Sequence, residues 1–281
     1  MSLLTQHNER DEAVTLKQEL KNISQMLFDI DDTDFLPFVS INFQGQHKTS
    51  NLTVDRAEHR LLTVNESVYN YEIIKKMKFL YDNFEANSSI DENFTPEEDA
   101  EENEFIGLLL ETPVMNLALE FLEEKGFQLA THEDRFQMIK EIWFEFYPRN
   151  KNTAMTSSGF EHVFLSEIKK GKIIGLHNWI YFAEAEKRGQ LNYKGWMRQV
   201  DLGEKAKIAK ITFSLNGLIK TISSMMIGTS PELEMAIFTI CFQLRPNKGC
   251  QMEFNGKAFT VTTHTFQHNG KRLLASAYVN L

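Results

Sequence analysis

At 281 residues, with 42% hydrophobic and 25% charged side chains, the chain has the make-up of an ordinary soluble globular protein, long enough for one large domain or two lobes. Its formal charge of −9 argues against a uniformly basic nucleic-acid binder, and no apolar run approaches the length of a membrane-spanning helix. The charge is unevenly spread: sixteen acidic against three basic residues from Asp91 to Glu145, then thirteen basic against six acidic from Arg149 to Lys220. One stretch repels a phosphate backbone and the next attracts it.

In chain order, apolar positions at helical spacing from Glu9 to Phe28 (Val14, Leu16, Leu20, Ile23, Leu27) predict an opening helix. Phe35 to Leu52 reads as loop and short extended structure, and Val68 to Phe84 as a helix. Thr95-Pro96-Glu97-Glu98 is a helix start: a capping Thr, Pro in the first turn, then acids against the dipole. Helices are predicted from Glu98 to about Leu110, from Pro113 to Lys125 with Gly126 as its stop, and from Glu133 to Tyr147 ahead of Pro148. Residues 1–148 therefore read as a mainly helical lobe.

The polar stretch Arg149 to Ser158 is a natural hinge, and the texture of residues 149–281 differs. From His162 to Phe182, two β-type runs flank a Lys-Lys-Gly-Lys turn and predict a hairpin. A short helix over Ala183 to Arg188, a strand over Ala209 to Leu215 and a helix from Ser230-Pro231 to Phe242 follow. Turn signals at Asn255-Gly256 and Asn269-Gly270 divide the tail into a meander of three short strands ending at Ala275 to Val279. The expected fold class is α+β, a helical lobe followed by a mostly antiparallel α+β lobe.

Of eight histidines, His7, His47, His59 and His132 sit in polar or helical surroundings and read as surface residues, while His264 and His268 flank a strand and a turn. His162 and His177 differ, because each lies in an apolar run marked by glycine (GFEHVF and GLHNWI). If the lysine-rich turn folds the chain back, the two imidazoles come from adjacent strands and face each other across a groove. A base and acid pair working near neutral pH requires that arrangement. On these residues alone, core roles for both imidazoles stay open. So does a metal cluster of Glu161, His162, Glu167 and His177, although no HExxH is present. Phosphate-loop and GxSxG motifs are absent.

Four stretches closely resemble the EndoU family of poly(U)-specific endoribonucleases: SGFEHVF ending at Phe164, GLHNWI from Gly175 with the later Tyr193-Lys194-Gly195, IGTSPELEMAI from Ile227, and ASAY ending at Tyr278. The helical lobe resembles the family's as well, so the likeness covers nearly the whole chain and implies an EndoU-type fold. The resemblance implies an enzyme that cuts single-stranded U-rich RNA at uridylates. The RNA's own 2′-hydroxyl attacks the neighbouring phosphorus and leaves a 2′,3′-cyclic phosphate and a 5′-hydroxyl. Catalysis would fall to His177 as base, His162 as acid and Lys220 as the cation facing the phosphorane oxygens, helped by a backbone N–H near Gly175. Ser224, Ser276 and Tyr278 would form the uracil pocket, the tyrosine as its stacking face. Many relatives depend on manganese or calcium; if this chain does, Glu161 and Glu167 are the residues that would hold the divalent cation. No organic cofactor or membrane contact is implied, and a monomer is expected. The chain departs from the family at Phe213-Ser214-Leu215, where relatives often carry Phe-Asn-Trp, at Ser276, where Thr is usual, and at Leu233, where Phe is usual.

Two other readings compete: an RNA- or calcium-binding module on the same fold without catalysis, and a metal-dependent hydrolase built on the Glu and His cluster. The hydrophilic amino terminus lacks the apolar core of a signal peptide, so the sequence as it stands reads as cytoplasmic. Five sequons, at Asn22, Asn51, Asn65, Asn87 and Asn93, keep secretion open if a leader precedes it. Cys241 and Cys250 are too few for a disulfide framework. They could close a single clip or stay as two buried thiols.

Overall fold

The structure, a computed structural model, describes residues 3–48, 51–149 and 155–281, with side chains from residue 14 onward. Capping chemistry sets the helices of the first half. α1 (Leu3–Ile30) extends beyond its predicted ends. The short strands β1 (Val39–Ile41) and β2 (Leu62–Val64) pair antiparallel, and α2 (Glu72–Phe79) follows. The helix predicted from Val68 is shortened because the Asn65 side chain caps a separate 3-10 turn over Glu66–Asn70. At α3 (Pro96–Glu111) the Thr95 hydroxyl accepts from the Glu98 N–H, and the Glu98 carboxylate accepts from the Thr95 N–H, two orphan donors satisfied reciprocally. At α4 (Pro113–Glu124) the Thr112 hydroxyl accepts from the Met115 N–H alone, whereas Thr131 and Asp134 cap α5 (His132–Phe144) in the same reciprocal way as α3.

The second half contains α6 (Gly159–Phe164), the hairpin β3 (Ser166–Lys169) and β4 (Lys172–Gly175), and α7 (Trp179–Lys187). An antiparallel sheet follows in the order β5 (Leu191–Asp201), β6 (Lys207–Leu215) and β7 (Leu218–Ile227). Then come α8 (Pro231–Leu244) and the expected meander of β8 (Gly249–Phe254), β9 (Lys257–His268) and β10 (Lys271–Asn280). Of the first sheet, the sequence predicted only the middle strand. The missed signal is Asn216-Gly217, whose two residues take positive φ like the Asn-Gly pairs at 255 and 269 and so join β6 to β7 by a tight hairpin. The described ends of the expected hinge are tied together, since Arg149 Nε–H donates to the Ser157 hydroxyl at 2.8 Å.

One hydrophobic cluster runs from Leu20 in α1 to Val279 in β10. α8 is its axis, buried at every position from Pro231 to Phe242. The Trp143 indole of α5 donates to Thr239 at 2.9 Å, and a Cys241–Cys250 disulfide ties α8 to β8. No single described helix is long and apolar enough to cross a membrane. Because Ile237 is fully buried on α8, Ile237→Ala is expected to lower stability by about 2–5 kcal/mol, read as a shift in denaturant midpoint. An unchanged midpoint would contradict a packed axis here.

Candidate active site

α6 exists because Ser158 and Glu161 form a reciprocal cap. The Ser158 hydroxyl accepts from the Glu161 N–H at 3.2 Å, and the Glu161 carboxylate accepts from the Ser158 N–H at 2.8 Å. That cap overrides the β-type pattern and corrects the sequence expectation. The β3–β4 hairpin forms, but neither imidazole is on it: His162 precedes it in α6, and His177 lies in the bend that follows β4. They meet because the chain leaving β4 crosses the end of α6. Leu176 N–H donates to the His162 carbonyl at 3.0 Å, and His177 N–H to the Val163 carbonyl at 2.8 Å. These are carbonyls that a helix terminus leaves without intrahelical partners. Gly175 permits the crossing, since its φ is +73° and a Cβ there would lie 1.9 Å from the His162 carbonyl oxygen.

Each ring has one nitrogen committed to the protein. His177 Nδ1 lies 2.9 Å from the Ser224 carbonyl oxygen. A carbonyl can only accept, so Nδ1 carries the proton and Nε2 keeps a lone pair. His162 Nδ1 lies 2.6 Å from Glu167. Glu167 also pairs with Arg149 Nε at 2.8 Å, and Arg149 is anchored by the Tyr147 hydroxyl and the Ala275 carbonyl.

Burial governs the protonation of all three central groups. It drives His177 well below the ordinary histidine value, assisted by the Lys220 charge. It lowers His162 to about 4, with Arg149 assisting and Glu167 opposing. It lowers Lys220 to about 7, again against Glu167. Burial alone would raise Glu167, but His162 and Arg149 outweigh it and hold the carboxyl below its usual range. The Lys220 ammonium donates to the Gly175 carbonyl.

A cleft of about 800 Å³ opens over these groups. His162, His177, Lys220, Gly175, Ser224 and Tyr278 all line it. Lys169, Lys172 and Lys210 line it too, and no carboxylate does among the described residues, so the local field is positive in an acidic protein. The Tyr278 ring stacks on His177 with centroids 5.3 Å apart. Ser276 is half-buried on β10, two residues before Tyr278, and is not part of the cleft wall. Sequence reasoning missed Asn280, which lines the cleft two residues after Tyr278. The alternation of a strand places both on one face and could have found it.

The carboxylates expected to hold a divalent cation do not fit one. Glu161 is committed to its helix cap, and burial, aided by Glu92, pushes its carboxyl well above the usual range, toward a neutral acid. Glu167 is occupied by an imidazole and a guanidinium. Among the described residues, no three His, Cys, Asp or Glu side chains are arranged to hold a metal ion. His47 is also corrected: it is 6% exposed, with Nε2 3.0 Å from the Lys194 carbonyl, because the chain before β2 packs onto β5. His59 and His132 are exposed as expected, and the side chain of His7 lies outside the described residues.

Gly175→Ala is expected to cost more than the roughly 1–2 kcal/mol of a left-handed side chain, because the His162 carbonyl would have to move. Thermal unfolding is the readout; a wild-type melting temperature would show that the crossing tolerates a Cβ.

The family model described as Endoribonuclease XendoU matches residues 19–279. The chain is 31% identical to the uridylate-specific endoribonuclease EndoU of Drosophila melanogaster over 88% of its own length and 78% of that protein. It is 34% identical to uridylate-specific endoribonuclease C of Danio rerio, over 95% and 89%. The human uridylate-specific endoribonuclease is 32% identical over 95% of this chain, which spans about two thirds (67%) of the human protein's length. The solved structure of XendoU, a splicing-independent snoRNA-processing endoribonuclease, superimposes with a TM-score of 0.76 at 29% identity, covering 93% of this chain and 96% of that one.

Proposed function

Because the chain belongs to the XendoU endoribonuclease family, we propose that it cleaves single-stranded RNA after uridylates by internal transesterification, leaving a 2′,3′-cyclic phosphate and a 5′-hydroxyl. The observation that carries this reading is the cleft itself, where two imidazoles of defined orientation and one ammonium line a single space of about 800 Å³.

His177, held neutral with Nε2 free, takes the proton of the 2′-hydroxyl. His162 delivers a proton to the departing 5′-oxygen. Its Nδ1–H is held by Glu167, which supports the imidazolium once a bound phosphodiester adds its own negative charge. Lys220 faces the charge gathering on the phosphorane oxygens. All of these groups come from one chain, so the monomer suffices as the working unit. A divalent cation, manganese or calcium, belongs to this reading only as a condition to be varied, with no step assigned to it.

Base choice follows from one donated proton. The Ser224 hydroxyl donates to the Val279 carbonyl at 2.5 Å, so toward the cleft it can only accept. Uracil offers an N3–H to that acceptor, whereas cytosine offers a lone pair and is repelled. Tyr278 supplies the stacking face, worth ~1–3 kcal/mol, whereas Ser276, outside the cleft wall, is assigned no contact with the base. The Cys241–Cys250 disulfide favours a secreted protein over a cytoplasmic one.

On a uridine-containing oligonucleotide, His162→Ala, His177→Ala and Lys220→Ala should each slow cleavage on the order of 10²–10⁴-fold, with calcium, manganese and chelator compared in parallel. A linear 3′-phosphate at the first turnover would overturn the mechanism; RNA binding without cleavage would favour the non-catalytic module. The pH profile has a definite sign. Lys220 sheds its charge as pH rises through about 7, and His162 has less of its acid form over the same range, so kcat/KM should fall toward alkaline pH. Lys220→Arg keeps the charge and should flatten that fall at a lower overall rate. A rate rising through pH 7 would rule out a required ammonium.

A further inference from the structure

The cleft has two ends, and uridine recognition uses only one. The β4 segment and β7 lie side by side along it. His177 meets Ser224, the Ser223 hydroxyl donates to the Leu176 carbonyl at 2.7 Å, and Lys220 donates to the Gly175 carbonyl. From the Ser224 and Tyr278 end, both segments therefore run past the catalytic groups toward lower residue numbers, to Ile219 on β7 and to Ile174 and Lys172 on β4. All three line the same cleft.

Ile219 is 41% exposed, although most apolar side chains of β6 and β7 are buried. Lys172 is exposed and has no ion-pair partner among the described residues. An apolar platform beside a free ammonium matches a nucleotide, which presents a flat base face and a phosphate.

The chemistry assigns this end an occupant. In transesterification the 2′-oxygen forms a new P–O bond while the P–O5′ bond to the next nucleotide breaks, with entering and leaving oxygens roughly in line through phosphorus. The leaving 5′-oxygen takes its proton from His162. With the uracil at Ser224 and Tyr278 and the phosphorus at His162, His177 and Lys220, the leaving nucleotide extends away from the uracil pocket, toward Ile219.

We propose that Ile219, Ile174 and Lys172 form a subsite for the nucleotide that follows the cleaved bond, its base against the isoleucines and its next phosphate at Lys172. This rests on the ribonuclease reading above. Base contact at this subsite contributes to selection among uridylates by what comes after them.

The test uses two short oligonucleotides with one ribouridine and deoxynucleotides elsewhere, the residue after the uridine being either intact or abasic. Wild type should cleave the intact substrate with a kcat/KM roughly three- to tenfold higher, the range expected for burying part of one base face. Ile219→Ser should abolish that advantage, its loss falling more heavily on the intact than on the abasic substrate, and Ile219→Val, which keeps the apolar face, should retain most of it. Lys172→Ala should slow both substrates equally and reduce the slope of log kcat/KM against log salt by about 0.7, the value for one phosphate contact on a single strand. Equal wild-type rates on the two substrates, or equal losses on both in Ile219→Ser, would overturn the subsite and leave the nuclease reading intact. Failure to form cyclic phosphate from either substrate would overturn both.

Discussion

Two main-chain hydrogen bonds, from Leu176 and His177 to the carbonyls of His162 and Val163, hold the centre of this protein together. They do two things at once. They satisfy carbonyls at the end of a six-residue helix too short to be stable alone, and they fix two imidazoles from different elements beside one another. The crossing depends on a position without a side chain at Gly175. That glycine also presents its carbonyl to Lys220, so the third charged group is tied to the same point.

The electrostatics of the site follow from what is enclosed with it. Burial favours neutral imidazoles and a weakened ammonium, and the protein opposes this with a single carboxylate placed behind His162 rather than in the cleft. Arg149 keeps that carboxylate ionised and connects it through Tyr147 and Ala275 to β10, the strand that carries Tyr278. The wall that would meet a phosphate backbone is thus lined by lysines, while the excess of acidic over basic residues is concentrated in α3, α4 and α5. A chain of charge −9 can accordingly present a positive groove.

The uncommitted atoms of the site matter as much as the committed ones. Ser224 spends its proton on Val279 and becomes an acceptor. His177 spends Nδ1–H on Ser224 and keeps a lone pair at Nε2. One short segment of β7 therefore sets both the tautomer of His177 and the polarity of the Ser224 hydroxyl, which under the proposed function links the choice of nucleotide to the geometry of its cleavage.

Much of this was legible without coordinates wherever the determinants are local. Thr95 with Glu98, Ser230 ahead of Pro231, and the Asn-Gly turns of the tail specify their elements through neighbours three or four residues away, and they appear where expected. The histidine pair and Tyr278 stood out because the stretches around them resemble a known family, and the same resemblance pointed to Lys220 and Ser224 between those stretches. The mode of approach was not legible. His162 sits in a helix set by the Ser158 cap, and it meets His177 through hydrogen bonds to main-chain atoms that every residue possesses. β5 and β7 were missed because their pattern is interrupted by bulges and polar residues that only their partners rationalise. Glu161 and Glu167 looked alike as carboxylates near a histidine, yet one caps a helix and the other pairs with Arg149 from across the fold. Residue types and local geometry are written in the sequence; which lone pair or proton remains free is decided by distant partners, and those are supplied only when the chain packs.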